Sequence, residues 1–514
     1  MGRRPKRTLV VINYGLELSL QAFVILQGIV LVPLYLHYIS LPVYGAWVAS
    51  SQIVGWATLF YPGTDRVLRQ RVSHALGANE PERIGRLLGS GAAINIAFCV
   101  ALILAEIPLA IYAPGWLRMR GAEQIVLRRA LYLTVLGSGL SILGHVVGAS
   151  LVALQKVEQS GAASICGTVL GIAVNVILLL HGLGVESIAW GGLVRVVTWT
   201  GMGAFFLLAT LRKHREIRVQ LDYGETRQLL KLSTVNLAAN AATWLQTGMD
   251  ATLAGVFLGP SASAKLTLTG RPYDVSGLLA ARVGAATQPS VATLAGERQT
   301  RRIREATVAI LGGAAIIVSC TIGATLALNR ELIRLWVGRA AFGGDLLSGL
   351  MGWAVACSTM IETLISILFG LGEINYTAKV SLWRAAAKGG LTLIGIQWIG
   401  LIAAPIATII AAVVPAGPML WRRLIEITGM DRQEKRRALV LMFFVPVAGL
   451  AAGTLASTLI SVHGWLWVFV TGAGIGVALA LISLLLAASQ SPALIRRLLE
   501  LRKRPATACP QSNG

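Results

Sequence analysis

Charged side chains are scarce in this sequence. Asp, Glu, Lys and Arg make up 13% of its 514 residues, about half of what a soluble domain carries to keep its surface wet. Acidic residues are the scarcer kind, 23 against 45 basic ones, for a formal net charge of +22. An excess of that sign suits either nucleic acid or the orientation of membrane spans. No aromatic–basic interleaving and no nucleic-acid motif is present, and the Lys and Arg residues sit between apolar runs, as orientation by positive residues requires. The five cysteines are Cys99, Cys166, Cys320, Cys357 and Cys509, none at CxxC spacing. The first four lie inside apolar runs, where cysteine acts as a small hydrophobe, so neither a disulfide framework nor a zinc site is expected. GxSxG, HExxH and phosphate-cradling glycine loops are missing, and with them the common hydrolytic and nucleotide chemistries. No hydrophilic stretch is long enough for a sizeable soluble domain. Transport or binding is the expectation, not covalent catalysis.

What is present is a succession of apolar runs. One covers Ala92 to Ala113, interrupted by Asn95, Glu106 and Pro108, and another Leu466 to Ala488. A bilayer core takes about 20 apolar residues of helix. The pattern predicts an all-α, polytopic membrane protein with about fourteen transmembrane helices. They fall at 9–37, 43–61, 87–113, 130–154, 161–181, 187–211, 229–258, 262–292, 303–328, 346–371, 378–399, 401–421, 438–461 and 465–488. Arg3, Arg4, Lys6 and Arg7 precede a first run with no small-residue cleavage site, which reads as an uncleaved span with a cytoplasmic start. The even-numbered gaps hold most of the Lys and Arg, for example Arg66 to Arg86, Arg212 to Arg227 and Arg422 to Arg437. Both termini are therefore expected in the cytoplasm. Arg118 to Arg129 and Arg330 to Arg339 are exceptions in outer gaps, at equivalent places of a repeat.

That repeat is visible in the residues. Val72-Ser-His-Ala-Leu-Gly77 followed by Arg83-Ile84 has the same spacing as Val291-Ala-Thr-Leu-Ala-Gly296 followed by Arg302-Ile303. It implies two parallel six-helix lobes plus two peripheral C-terminal helices, with a substrate site expected between the lobes. The divisions are a cytoplasmic N-terminus (1–8), an N-lobe (9–211), a cytoplasmic linker (212–228), a C-lobe (229–421), spans thirteen and fourteen (438–488) and a cytoplasmic tail (489–514). Gly472-Ala-Gly-Ile-Gly476 in span fourteen suits close helix packing.

Ionisable residues inside spans mark the candidate site, because each costs about 2.5–3.5 kcal/mol at the helix centre on insertion scales. Arg271, Asp274 and Arg282 fall on one face of span eight. An arginine there offers a planar fork for phosphate or carboxylate oxygens, and the competing reading is an internal Arg–Asp pair between helices. Pro272 is expected to kink the helix beside them. Span one carries Asn13, Glu17 and Gln21, and span seven Asn236, Asn240, Thr243, Thr247 and Asp250, each set on one face. These stripes suit a water-filled passage or interhelical hydrogen bonds, with Glu17 and Asp250 the better cavity candidates. Glu106, Arg195, Glu362, Arg384 and Lys388 are further charges within spans. Arg384 and Lys388 are expected to snorkel to the cytoplasmic interface, and His145 to be a packing residue.

Three stretches carry a resemblance. They are Tyr61-Pro-Gly-Thr-Asp-Arg66 with the basic segment to Arg86, Asp250-Ala-Thr-Leu-Ala-Gly-Val-Phe-Leu-Gly259 followed by Arg271, and Glu331-Leu-Ile-Arg-Leu-Trp336-Val-Gly338. In these the chain resembles the multidrug/oligosaccharidyl-lipid/polysaccharide exporter superfamily, in its polysaccharide-repeat flippase branch. It departs from that pattern at Ser261-Ala-Ser-Ala-Lys265, where relatives show a Gly-aromatic pair. The resemblance implies a two-lobed bundle with a cavity open alternately to each side. It also implies undecaprenyl-pyrophosphate-linked oligosaccharide as substrate and a place in the bacterial inner membrane beside other polysaccharide assembly proteins. No cofactor is implied, and an H+ or Na+ gradient is the implied drive. Arg271 is the best matched cavity cation, with Arg66 and Arg282 behind it. Two alternatives stay open: an ion-coupled multidrug or cation antiporter of the same fold, and a membrane polysaccharide polymerase or ligase.

Overall fold

A computed structural model describes residues 27–56, 59, 61, 63–297, 299–459 and 464–490, without the side chains of 234–236, 238–240, 243, 285 and 486–490. Every regular element among them is a helix. In chain order they are α1 (27–38), α2 (Leu41–Gly55), α3 (Thr64–Ala78), α4 (Pro81–Trp116), α5 (Gly121–Ala153), α6 (Val157–Leu180), α7 (Val185–Lys213), α8 (Tyr223–Thr247) and α9 (Met249–Leu253). A π turn (Ala254–Leu258) leads to α10 (Pro260–Gly296), α11 (Thr300–Val337), α12 (Asp345–Gly370) and α13 (Ile374–Ile399). Then α14 (Ala403–Ala411) continues through a second π turn (Ala412–Ala416) into α15 (Gly417–Thr428), with α16 (Arg432–Leu459) and α17 (Trp465–Gln490) after it. Nine described stretches are long and apolar enough to cross a membrane, and one of these, Ile374–Thr428, holds two expected spans. α8 and α10 are not among the nine, and both carry polar stripes read from the sequence.

One element differs in kind from the expectation. The basic segment after span two is a helix, α3, and not a loop. Val67, Leu68, Val72 and Ala75 are buried along one side of it while Arg66 and Arg69 are exposed. The apolar residues recur at 68, 72 and 75, the spacing of a helical stripe. They pack on Ile84, Leu87 and Leu88 of α4 and on Val146 and Leu154 of α5. Gly63 begins α3 at φ +66° and Asn79 ends it at φ +60°, left-handed positions that terminate helices cheaply at Gly and Asn. Pro81 then opens α4 at a position where the missing N–H costs nothing. In the second copy of the repeat the matching stretch, Val291–Gly296, is the uninterrupted end of α10.

The expected linker 212–228 is mostly ordered structure. α7 runs to Lys213 and α8 begins at Tyr223. The stretch between them lies along α4, where a Cβ on Gly85 or Gly89 would overlap the carbonyls of Arg218 and Gln220. Gln220 N donates to Gly85 O at 3.3 Å, and Ser90 Oγ donates to Asp222 O at 3.0 Å. Asp222 caps α8 by accepting from Glu225 N at 2.8 Å. By packing, the chain divides within α10. One unit comprises residues up to Thr267 with Ile396–Leu401, and the other Leu268–Gly395 with Ile402 onward.

Small residues set close helix contacts in each unit. In the first, a Cβ on Gly167 or Gly171 of α6 would stand 2.6 Å from the carbonyls of Arg195 or Gly191 of α7. In the second, Gly323 of α11 faces Gly449 and Gly453 of α16, and Ser319 Oγ donates to Val445 O at 2.7 Å. α16 therefore contributes Leu441, Val445 and Leu450 to the core on one face and leaves Phe443, Phe444 and Leu455 exposed on the other. α17 lies on α11 through Gly472 and Gly476, as its glycines suggested, and leaves Phe469, Leu481 and Leu485 exposed.

Candidate functional site

The face of α10 that carries Arg271, Asp274 and Arg282 is exposed, and the opposite face is buried. Burial is fixed by a polar network. The Tyr273 hydroxyl and Ser348 Oγ of α12 are 2.8 Å apart. Asn329 Nδ2 of α11 donates to the same Ser348 oxygen at 2.8 Å and to Thr269 O at 3.2 Å. Ser276 Oγ lies 2.7 Å from Thr325 Oγ1. Tyr273 and Asn329 are fully buried, so these bonds lock the rotation of α10 about its axis. The rotation turns two guanidiniums and one carboxylate outward from the second unit. α10 runs helical through Pro272, and Ser276 Oγ donates to Pro272 O at 3.0 Å, so the expected kink does not interrupt the element.

In the first unit a cavity of about 390 Å³ is walled by α1, α2, α5, α6 and α7. Ser138, Ser141, Thr168, Asn175 and Tyr35 supply hydroxyl and amide groups, and Arg195 supplies a guanidinium. The α6–α7 glycines bring Arg195 to this wall, since a Cβ on Gly171 would lie 2.7 Å from Arg195 Cβ. Asn175 Nδ2 donates to the Tyr35 hydroxyl, and its carbonyl oxygen has no hydrogen-bond partner among the described residues. Behind the wall, Ser138 Oγ donates to Glu106 of α4. Glu106 is fully buried, and its second carboxyl oxygen has no hydrogen-bond partner among the described residues. The cavity thus combines one permanent cation with many neutral hydrogen-bonding groups, a lining that suits hydroxylated or anionic groups.

The remaining sequence candidates are spread out. Arg66 is exposed on α3, beside a network that pins the start of that helix. There Thr64 Oγ1 and the Tyr61 hydroxyl donate to buried Asn95 Oδ1 at 2.8 and 2.9 Å. Asp250 is half-buried in the first turn of α9, where Gly248 separates that helix from α8. Neither Arg66 nor Asp250 lines the cavity that holds Arg195. Glu17, Asn13 and Gln21 lie outside the described residues, as do the side chains of Asn236, Asn240 and Thr243.

Arg384 and Lys388 do not snorkel. They are 4% and 7% exposed, and Arg384 is ion-paired with Glu362 of α12. The helix face they share turns into the protein, where a carboxylate is within reach. Sequence reading also missed the Glu106–Ser138 and Asn175–Tyr35 pairs, whose members lie 32 and 140 positions apart. Only folding brings them together.

Residues 95–340 match the family model described as polysaccharide biosynthesis protein. No curated protein matches the chain. Among solved structures, the lipid II flippase MurJ in an inward closed conformation aligns with a TM-score of 0.60 at 13% identity, over 89% of this chain and 97% of that one. An inward-facing multidrug resistance MATE family transporter of the MOP superfamily aligns with a TM-score of 0.58 at 16% identity, over 76% and 89%. An outward-facing MATE transporter aligns at 0.52 and 15%, over 83% and 97%. The chain is a multi-pass helical membrane protein that shares its fold with the MurJ and MATE structures, and its residues 95–340 match the polysaccharide biosynthesis protein model.

Proposed function

We propose that this protein moves lipid-linked oligosaccharide units from the cytoplasmic to the outer leaflet of a bacterial inner membrane by alternating access. The carrier lipid in this reading is undecaprenyl pyrophosphate. The observation that carries it is the exposed Arg271–Asp274–Arg282 face of α10, in a chain whose 95–340 segment matches a polysaccharide biosynthesis family. A pyrophosphate needs forked, permanently charged donors, and a glycan needs hydroxyl and amide partners. Arg271 and Arg282 of the second unit are groups of the first kind, and the cavity of Arg195, Ser138 and Asn175, within the first unit, is lined by groups of the second. Only differential contacts in the inward and outward states can drive such a cycle, with an H+ or Na+ gradient as the energy source and Asp250 and Glu17 as candidate coupling groups. This reading has both termini in the cytoplasm, the sidedness that the distribution of Lys and Arg supports.

A deletion strain assayed for lipid-linked repeat units tests this reading, with build-up on the cytoplasmic leaflet as the expected result. Restoration with Arg271→Glu is expected to fail while the protein still inserts. Wild-type export by that variant would remove Arg271 from the path. The second reading, an ion-coupled drug or cation antiporter, is favoured by the buried carboxyl of Glu106 and by the MATE fold. Normal glycan with new drug sensitivity in the deletion strain would select it.

A further inference from the structure

Helices of the second unit leave a groove that the transport reading does not use. It encloses about 290 Å³ between Cys357 and Met360 of α12, Trp421 of α15, and Phe443, Val447 and Leu450 of α16. Two prolines lie in the helices around it. Pro415 lies in the π turn that joins α14 to α15, and Pro446 lies inside α16. A proline removes a rung of the helical ladder and bends the axis, and a π turn offsets the helix beyond it. Gly417 adds wall without a side chain. On α16 the lining residues from Leu439 to Leu450 form one stripe, at 439, 442, 443, 446, 447 and 450. The stripe is about 16 Å long at 1.5 Å per residue, about half the thickness of a bilayer core. Phe443 is exposed at its rim.

One end of this groove is basic. Arg422 comes directly after Trp421 on α15 and is exposed. Lys435 and Arg436 stand one turn before Leu439, on the same face of α16 as the stripe. Of the carboxylates nearby, Glu373 and Glu426 bond Arg423 at 2.7 and 3.1 Å, with Arg423 over the Tyr376 ring, Glu434 pairs with Arg304 at 3.6 Å, and Asp431 caps α16 by accepting from Glu434 N at 2.6 Å. A cleft lined by Arg422, Arg423, Glu426 and Tyr376 shares Pro418 with the groove. No side-chain ion pair of Arg422, Lys435 or Arg436 is seen among the described residues.

We propose that the groove holds an anionic phospholipid of the surrounding bilayer. One acyl chain lies along α12, α15 and α16, and the phosphodiester meets Arg422, Lys435 and Arg436. Basic pockets between membrane helices select anionic headgroups in this way, each Lys or Arg near the surface raising affinity about fivefold. The interaction is independent of which substrate the protein moves.

The test uses the full-length protein in phosphatidylcholine vesicles doped with brominated-chain lipids, which quench nearby indoles. The contribution of Trp421 is isolated by subtracting the quenching of Trp421→Phe. Brominated phosphatidylglycerol is expected to quench Trp421 at a mole fraction at least about fivefold lower than brominated phosphatidylcholine. Arg422→Gln alone is expected to narrow that ratio, and the triple change with Lys435→Gln and Arg436→Gln to abolish it. Equal quenching by the two lipids overturns the proposal, as does a preference that survives in the triple variant. Relief of quenching by polyprenyl phosphate at equal mole fraction would also overturn it, and would give the groove to an isoprenoid chain.

Discussion

At the residue scale, buried charge in this protein is handled by short-range partners. Glu106 is fully buried, with Ser138 as its side-chain donor among the described residues. Removing that donor leaves a desolvated carboxyl behind, which costs about 1–3 kcal/mol. Ser138→Ala is therefore expected to lower the unfolding temperature of purified protein in detergent. Glu106→Gln, which still accepts from Ser138 and carries no charge, is expected to leave it unchanged or raise it. Arg384 sets the opposite problem, a buried cation whose partner Glu362 is 47% exposed. Glu362→Ala removes its ion-pair partner, while Arg384→Met removes the cation and fills the space. The first is expected to destabilise by about 1–2 kcal/mol, below the roughly 3–5 kcal/mol of a fully buried pair because water screens Glu362. Arg384→Met is expected to destabilise less. A thermal-unfolding series in which Arg384→Met is the more damaging change would show that the guanidinium is held by more than this pair. The sequence marked all three of these charges as intramembrane, but a helical period reports a face and not what stands opposite it.

At the element scale, the segment between α7 and α8 is held in a slot made by the absence of side chains. Gly85 and Gly89 leave room for the backbone at Arg218 and Gln220. Ser90, Arg83 and Arg86 of α4 secure it through Asp222 O at 3.0 Å, Glu225 at 3.1 Å and Asp222 at 3.8 Å. Added side chains there overpack the slot at a cost of about 1–3 kcal/mol. Gly85→Leu with Gly89→Leu is thus expected to speed tryptic cleavage between Arg212 and Arg218 by about tenfold or more. Unchanged cleavage would mean that the slot does not hold the strap. Composition alone suggests a basic linker here, because Arg and Lys at 212, 213, 215 and 218 look the same in a loose loop and in a docked strand. α3 was hidden for a similar reason. Its charges dominate the segment, and its apolar stripe of Leu68, Val72 and Ala75 has use only once α4 and α5 are there to meet it.

At the scale of the whole molecule, the alternation of basic and neutral turns sets a sidedness that can be measured. In a cysteine-free background, His181→Cys in the turn between α6 and α7 is expected to react with a membrane-impermeant maleimide in intact cells. Lys213→Cys at the end of α7 is expected to react only after permeabilisation. The reverse pattern would invert the orientation and, with it, the direction of transport proposed above.

Hydropathy by itself determined the all-helical, membrane-spanning class, the places of most helices and the charges worth examining. Insertion energy depends on composition within a span, and composition is fully present in the chain. Tertiary structure decided which face of each helix is open. Tyr273, Ser348 and Asn329 turn Arg271 outward, glycines of α6 and α7 bring Arg195 to a cavity, and Glu362 draws Arg384 inward. Those outcomes rest on contacts between residues far apart in sequence, whose energies exist only after the helices have packed.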